Sequence, residues 1–321
     1  MKTTRALVDR ELAPFLDAVA PLDFTPENLP EIRRTADATP PLPAPTTGAV
    51  TREEVTIPGR DGAPPVRALV YRPAEVEAGA RLPAVLHLHG GGFVIWRPEI
   101  NDARNRHIAA DIGCVVVSVD YRLAPETAFP GPLEDCYTGL LWLHSHADAL
   151  QVDPARIAVQ GESAGGGLAA ALALLARDRG EVPLAFQLLV YPMLDDRTGS
   201  READGPNEYA GQFVWTPASN RFGWRAMLGH EPGRGDVSPY CAPARAVDLA
   251  GLPPTFMQVG ALDLFVDEDI DYARRLLRAG VPTELHVYPG AFHGFDILPG
   301  TRIGAAFLRE AHEALRRALA R

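Results

Sequence analysis

The chain has 321 residues, of which 46% are hydrophobic and 22% charged, so it can bury one large core and is not disordered over most of its length. Its net charge of −10 argues against a general nucleic-acid binder, because contact with a phosphate backbone requires a basic surface. Lys2 is the only lysine, so the sequence contains no nucleotide-binding loop of the G-x-x-x-x-G-K-[ST] type.

The cysteines and the N-terminal segment indicate the cellular compartment in which the protein is expected. Cys114, Cys136 and Cys241 are odd in number and widely spaced, which predicts reduced thiols rather than a disulfide framework. The N-terminal segment mixes charged with apolar residues, and no run approaches the ~18 apolar residues of a membrane span. We therefore expect a cytoplasmic protein without a signal peptide, and no membrane or nucleic-acid partner.

The first 50 residues are predicted to form a separate N-terminal segment that precedes the main domain. Apolar residues recur at helical spacing from Thr4 to Ala20, and a second short helix is predicted around Glu31–Arg34. A segment rich in proline and threonine, Ala38–Gly48, then predicts a linker. We accordingly divide the chain into cap helices with a linker at residues 1–50 and a main domain at residues 51–321.

In the main domain, buried strand-like runs come first and then alternate with helical segments. The predicted strands are Glu54–Ile57, Val66–Tyr71, Ala84–Leu88, Cys114–Val119, Ile157–Gln160, Phe186–Tyr191, Thr255–Val259 and Glu284–Tyr288. The predicted helices are Asn101–Ile112, Pro132–Ala147, Ala164–Arg177, Asp267–Ala279 and Thr301–Ala320. Strands rich in Val, Ile and Leu and separated by helices predict an α/β fold, with a parallel sheet covered on both faces.

One region interrupts this alternation. From Asp195 to about Ser238 the chain is longer than a simple crossover needs and carries several aromatic residues, including Phe213 and Trp215. Ligands bind at the carboxyl edge of a parallel sheet, so an insertion at this edge would form a lid over a site. We predict a cap insertion at about residues 195–238.

The strongest motif for chemistry is Gly161-Glu162-Ser163-Ala164-Gly165, which follows a strand and opens a helix. A serine on so sharp a turn needs small flanking residues, and its hydroxyl is then exposed above the sheet. The helix N-terminus beneath it favours developing negative charge. A glycine turn around an ordinary serine is the alternative, which the strand-then-helix context disfavours.

A second motif, His89-Gly90-Gly91-Gly92-Phe93, stands at the end of an apolar strand. Glycines there bring backbone N–H groups close to a ligand, as the stabilisation of an oxyanion requires. We predict an oxyanion hole formed by the N–H groups of Gly91, Gly92 and Ala164. His87 and His89 could be imagined as metal ligands, but no third clustered ligand is apparent, so we expect no metal.

A nucleophilic serine needs a histidine base. Of the histidines that follow Ser163, His312 falls within the last helix, His286 within a strand, and His230 within the irregular insertion. His293 follows the final strand in a loop, from which a side chain can reach over the edge of the sheet. His293 is therefore the predicted base.

The base needs a carboxylate that orients it. Asp263 lies just beyond the strand at Thr255–Val259 and fits this role. Asp195 is the competitor, because an acid placed one strand earlier could also reach the histidine. Asp267 and Asp269 are better explained as first-turn helix residues that complement the helix dipole. We predict a catalytic triad of Ser163, Asp263 and His293.

With these motifs, the chain resembles the hormone-sensitive-lipase-like branch of the α/β-hydrolase superfamily, the bacterial carboxylesterases. The matching segments, in order, are His89–Phe93, Asp120–Glu126, Phe129–Asp135, Asp153–Ala169, Gly260–Glu268 and Tyr288–Phe295. The resemblance covers the chain from about residue 50 to the C-terminus. It implies a mostly parallel eight-stranded sheet with a helical cap, and the same triad and oxyanion hole.

The resemblance has two further implications. Dimers of the family often pair their last strands, which makes Thr283–Tyr288 the candidate surface for a homodimer. The residue before the nucleophile is usually Asp or Thr in this family, whereas this chain has Glu162. A longer acid must find different partners, and we interpret Glu162 as a structural carboxylate bonded to neighbouring loops.

The predicted function is hydrolysis of carboxylic esters through an acyl-enzyme, without a metal or organic cofactor. Phe93, Trp96, Phe213 and Trp215 are candidate walls of the substrate pocket, and bulky aromatic residues there would favour short-acyl or aryl esters. Core or cap packing is the alternative explanation for each of them. The same site could serve an amidase or a small-molecule deacetylase, and a non-catalytic small-molecule receptor is the alternative outside enzymes.

Overall fold

The computed structural model describes residues 4–16, 23–42, 44, 48–77, 79–199 and 207–320, and its centre is one eight-stranded sheet. The strands are β1 (Val50–Ile57), β2 (Val66–Pro73), β3 (Leu82–Leu88), β4 (Val115–Asp120), β5 (Val152–Glu162), β6 (Phe186–Val190), β7 (Thr255–Gly260) and β8 (Thr283–Tyr288). Their order in the sheet is β1-β2-β4-β3-β5-β6-β7-β8. The first two strands pair antiparallel and the other six run parallel, so the predicted mostly parallel α/β sheet is confirmed.

The strands that are easiest to predict from the sequence are those whose residues are almost all buried. β3, β4, β6 and β7 are central, and nearly all of their residues are buried, because helices cover both faces of the sheet. β1 lies at one edge and is mostly exposed, which matches its alternation of Glu and Arg with Val.

Helices cover the sheet in two layers. The helices are α1 (Leu29–Asp37), α2 (Asp102–Ile112), α3 (Gly131–Ser145), α4 (Ala164–Arg179), α5 (Pro217–Leu228), α6 (Val266–Arg278) and α7 (Arg302–Leu319). Helices α3, α4 and α6 contribute to one buried apolar cluster, and α2 and α7 contribute to a second cluster on the other face. All five helices predicted in the main domain are confirmed.

The N-terminal segment differs from its prediction. Instead of a helix from Thr4 to Ala20, the structure has two 3₁₀ turns, Thr4–Leu7 and Ala13–Phe15; residues 17–20 lie outside the described part. Pro14 has no N–H group to donate, which disfavours a continuous α-helix there. The second predicted helix is present as α1 and is longer than expected. Of the predicted linker, residue 43 and residues 45–47 are not described.

The insertion contains a helix that was not predicted, α5. Its start carries recognisable signals, since the Thr216 side chain accepts a hydrogen bond from the N–H of Ser219 and Pro217 is its first residue. The N-terminal segment packs against this insertion: the ring of Phe24 lies 5.5 Å from that of Phe222. The two parts expected to form a cap are therefore in contact above the main domain, although the boundaries at residues 50, 195 and 238 stay predictions.

β8 occupies the edge of the sheet opposite β1. Pairing of two copies through Thr283–Tyr288 stays a prediction. In the described ranges, none of the helices combines the length and the apolar character that crossing a bilayer demands.

Candidate active site

Ser163 stands on a strained turn between β5 and α4. Its backbone adopts φ +56°, a left-handed conformation that is uncommon for a residue with a side chain. A Cβ added to Gly161 would lie 2.1 Å from the carbonyl oxygen of Gly165, and one added to Gly165 would lie 2.1 Å from that of Leu88. Both glycines are therefore required by close backbone contacts, as the sequence motif predicts.

The structure brings Ser163, His293 and Asp263 together in one hydrogen-bonded chain. The Nε2 atom of His293 lies 3.0 Å from the Ser163 Oγ, and its Nδ1 atom lies 2.8 Å from Asp263 Oδ2. Asp263 is fully buried, and its second oxygen accepts a hydrogen bond from the N–H of Phe265 at 3.0 Å. This leaves Oδ2 directed at the imidazole. The geometry can hold one tautomer of His293, with its proton on Nδ1 and a lone pair facing the serine hydroxyl.

Aromatic rings fix the position of the His293 imidazole. Tyr191 and Phe265 contact it edge-on, with ring centroids 4.7 Å and 5.2 Å away. The histidine is 7% exposed, so little water surrounds it. A site with little water strengthens the electrostatic interactions within it.

The glycines after β3 form the wall opposite Ser163. Gly91 and Gly92 adopt φ +110° and +59°, and Gly90, Gly91 and Gly92 line the same cavity as Ser163. Among the described residues, no acceptor bonds the N–H of Gly91 or Gly92. Ala164 begins α4, where the first N–H groups have no partner within the helix. Gly91 and Gly92 thus border the space above Ser163, and the part of the Ala164 N–H group in the oxyanion hole stays a prediction.

Asp195, the competing acid, does not reach the histidine. Both of its carboxylate oxygens are bonded by Arg197, at 2.8 Å and 2.6 Å. The other histidines considered as bases also have separate environments; His286 bonds Glu284 and Glu310, and His312 lies beside Asp111.

Glu162 is buried directly beneath the nucleophile turn. Its carboxylate accepts hydrogen bonds from Nε2 of His87 at 3.0 Å and from Nε2 of Gln160 at 3.2 Å. The partners lie on β3 and β5, so our expectation that neighbouring loops would hold this carboxylate is wrong. Burial alone would raise the pKa of Glu162, but its interactions with His87, Arg104 and Gln160 together outweigh burial and lower the pKa below its ordinary value.

Two of the four predicted pocket residues line the cavity at Ser163, which has a volume of about 80 Å³. Trp96 and Trp215 contribute to its wall. Phe93 does not: with φ +68° its ring is buried in the core, edge-on against Trp224 at 5.2 Å. Phe213 packs on Phe292, 5.8 Å away, outside this cavity.

Sequence reasoning missed a buried charged group next to the site. Arg104 of α2 bonds the Asp296 carboxylate at 2.6 Å, and the hydroxyl of Tyr191 donates to the other oxygen at 2.9 Å. This links α2 to the loop that carries His293 and to the end of β6. Asp296 directly follows the segment Tyr288–Phe295, and no signal in the sequence pointed to its pairing with Arg104.

Neither His87 of β3 nor His89, which follows this strand, is arranged for a metal. His87 bonds Ser118 and Glu162, and His89 bonds the carbonyl of Gly90. In the described ranges, one group of three possible metal ligands lies elsewhere: His107, Asp111 and His312, within 4.8 Å of one another on α2 and α7. Arg316 donates a hydrogen bond to Asp111 at 2.7 Å and therefore competes with a cation there.

Comparison with known proteins agrees with the fold. A family model described as alpha/beta hydrolase fold matches residues 85–297. Esterase LipI of Mycobacterium tuberculosis is 38% identical over 232 residues, which is 72% of this chain and 71% of the relative. Carboxylesterase NlhH of the same organism is 35% identical over 298 residues, 90% of this chain and 88% of the relative.

The structure of a protein titled Bacterial Heroin Esterase superposes with a TM-score of 0.92 at 42% identity. The match covers 99% of this chain and 100% of that chain. On these matches, the chain belongs to the hormone-sensitive-lipase-like branch of the α/β-hydrolase superfamily.

Proposed function

We propose that the protein is a serine carboxylesterase that works through an acyl-enzyme. The observation that carries the proposal is the hydrogen-bonded chain from Ser163 Oγ through His293 to the buried Asp263. The names of the similar proteins, an esterase, a carboxylesterase and a heroin esterase, support the same chemistry.

In the first half-reaction, Ser163 Oγ attacks the ester carbonyl as His293 Nε2 takes the hydroxyl proton. Asp263 keeps the His293 tautomer fixed and stabilises the imidazolium. The carbonyl oxygen becomes an oxyanion held by the N–H groups of Gly91, Gly92 and Ala164, and each such donor contributes about 2.7–4 kcal/mol to transition-state stabilisation. His293 then protonates the leaving alcohol, and in the second half-reaction it activates the water that releases the acid.

The substrates are short-acyl or aryl esters. The cavity at Ser163 has a volume of about 80 Å³, the space of a few water molecules, and Trp96 and Trp215 form part of its wall. A small acyl group fits such a space, and an aryl leaving group can contact the indole rings.

Buried free cysteines support the expected cytoplasmic location, where thiols stay reduced.

The experiment is hydrolysis of p-nitrophenyl esters from acetate to palmitate by the wild type. Ser163→Ala is the test variant, and Ser145→Ala on α3 is the control. We expect kcat/KM to peak at acetate to butyrate, to vanish in Ser163→Ala and to persist in Ser145→Ala. Undiminished hydrolysis by Ser163→Ala would overturn the proposed nucleophile. A maximum at palmitate would overturn the substrate class alone.

A further inference from the structure

A second and larger cavity lies behind the nucleophile, between α2, α7 and the sheet. Its volume is about 650 Å³, within the range of pockets that hold small organic molecules. It shares two wall residues, Glu162 and Arg104, with the cavity at Ser163. The mechanism uses none of its wall residues.

The floor of this cavity is a polar row on the sheet. In the strand register, Glu162 of β5 is paired with Val190 of β6, which is paired with Gln258 of β7. Gln160 lies two residues before Glu162 and hence on the same face of the sheet. Gln258 is fully buried and Gln160 is 7% exposed. The centre of a covered parallel sheet is ordinarily apolar, so two buried glutamines on one cavity need an explanation.

Four buried polar atoms on its wall residues have no hydrogen-bond partner in the described part of the chain. They are Gln160 Oε1, Gln258 Nε2, Arg104 Nε and His107 Nδ1. The orientation of Gln160 is fixed, because its Nε2 atom donates to Glu162, and the other polar groups of Arg104 are used by Asp296. Buried polar groups are nearly always hydrogen-bonded, so four exceptions around one cavity indicate that something else completes them.

The pattern of these atoms selects a ligand chemistry. Gln258 Nε2 and Arg104 Nε can only donate and Gln160 Oε1 can only accept, whereas His107 Nδ1 can do either, depending on its tautomer. A carbonyl beside an N–H group complements them. The carboxylate of Glu162 on the wall disfavours an anion. The four arginines of the wall are each paired with a carboxylate already: Arg104 with Asp296, Arg302 with Glu11, Arg309 with Glu310 and Arg316 with Asp111. Apolar residues such as Ile108 and Leu308 on the helical side suit an aromatic or aliphatic body.

We propose that this cavity is a second binding site, and that it takes a small uncharged carboxamide. Gln160 and Gln258 stand two strands apart on the same face of the sheet, and both line this cavity. Gln258 does not line the cavity at Ser163, so its substitution reports on the second cavity alone.

The test is calorimetric titration of Ser163→Ala protein with benzamide, with acetophenone and benzoate as comparison probes. Gln258→Met removes a donor while keeping the shape of the side chain. Gln187→Met is the matched control, because Gln187 is also a fully buried glutamine with a free oxygen but lies on β6 outside this cavity. Ala311→Leu, which adds bulk to the wall, is a second test that changes no polar group.

We expect saturable one-site binding of benzamide that weakens about tenfold in Gln258→Met and in Ala311→Leu and stays within about twofold in Gln187→Met. Acetophenone and benzoate should bind more weakly than benzamide. Thermal unfolding of each variant verifies that it is folded; if Gln258→Met is not, Ala311→Leu decides alone. No saturable binding, or equal effects of the two glutamine substitutions, would overturn the proposal and leave a cavity that holds water only.

Discussion

The tight contact between the glycine loop and the cap predicts a large effect for Gly92→Ala. A Cβ at Gly92 would lie 2.2 Å from Cη2 of Trp215 and 2.9 Å from its Cζ2. Non-bonded carbon atoms need about 3.5 Å or more, so the loop or the indole must move by about 1 Å. Trp215 is 5% exposed, and its Nε1 atom donates to Asn220 at 3.2 Å, so the indole is held in place.

The glycine loop therefore moves, and the N–H groups of Gly91 and Gly92 no longer point at the oxyanion. Loss of one donor costs about 2.7–4 kcal/mol in the transition state, which lowers kcat by about 10²–10³-fold. An alanine at position 92 must also adopt the φ of +59° seen at Gly92, which adds about 1–2 kcal/mol of backbone strain to the folded state of the variant.

The assay is kcat for p-nitrophenyl acetate, with urea unfolding measured in parallel. Gly180→Ala is the matched control, because Gly180 has φ +66° and no atom within 4 Å of the added Cβ; it should lose stability but keep its kcat. Trp215→Leu opens the contact, so Gly92→Ala should cost much less activity in that background. Unchanged kcat in Gly92→Ala, or the same loss in the Trp215→Leu background, would refute the reasoning.

Three further predictions concern buried acids and a buried histidine. Asp263→Asn should lower kcat about 10⁴-fold, because the amide favours the wrong tautomer of His293, whereas Asp195→Asn should leave kcat nearly unchanged. Burial lowers the pKa of His312 from 6.5 to about 4, so the unfolded chain takes up a proton between these pH values that the folded chain does not. Folding stability should fall by up to about 3 kcal/mol as pH drops through that window, and His312→Gln should flatten the fall in urea titrations. Burial and neighbouring carboxylates raise the pKa of Asp269, whose two oxygens have no partner in the described part of the chain. The unfolded chain loses this proton above about pH 4 whereas the folded chain keeps it, so folding stability falls as the pH rises. Asp269→Asn removes this loss and should stabilise the fold at pH 8 by about 1 kcal/mol or more.

Each of these has a result that would contradict it. Equal losses in Asp263→Asn and Asp195→Asn would mean that the acid is misassigned. An unfolding free energy whose pH dependence is the same with and without the His312 imidazole would remove that residue from the acid response. A lower urea midpoint at pH 8 for Asp269→Asn would show that the buried carboxyl stabilises the fold.

The sequence predicts most reliably those features that depend on neighbouring residues. The central strands are mostly apolar, and the turn at Ser163 requires glycines within two residues on either side. These signals are local, so the strands, the main helices and the candidate nucleophile could all be placed before the structure was known. Helix α5 also had local signals, Thr216 and Pro217, but they stand inside an irregular aromatic segment that masked them.

Features that depend on distant contacts could not be predicted. Arg104 and Asp296 are 192 positions apart, and nothing near either residue indicates the pair. The partner of Glu162 is His87, 75 positions away on the adjacent strand. Phe93 illustrates a different limit, since a left-handed backbone turns its ring into the core, and the sequence does not specify that angle.

Stoichiometric titration of the nucleophile tests the central claim most directly. Diethyl p-nitrophenyl phosphate should release one p-nitrophenolate per chain, abolish esterase activity, and leave its diethylphosphoryl group on the tryptic peptide Ile157–Arg177, whose only serine is Ser163. Mass spectrometry of the digest locates the adduct. Inactivation with the adduct on any other peptide, or full activity after the phosphoryl group is bound to Ser163, would contradict the account.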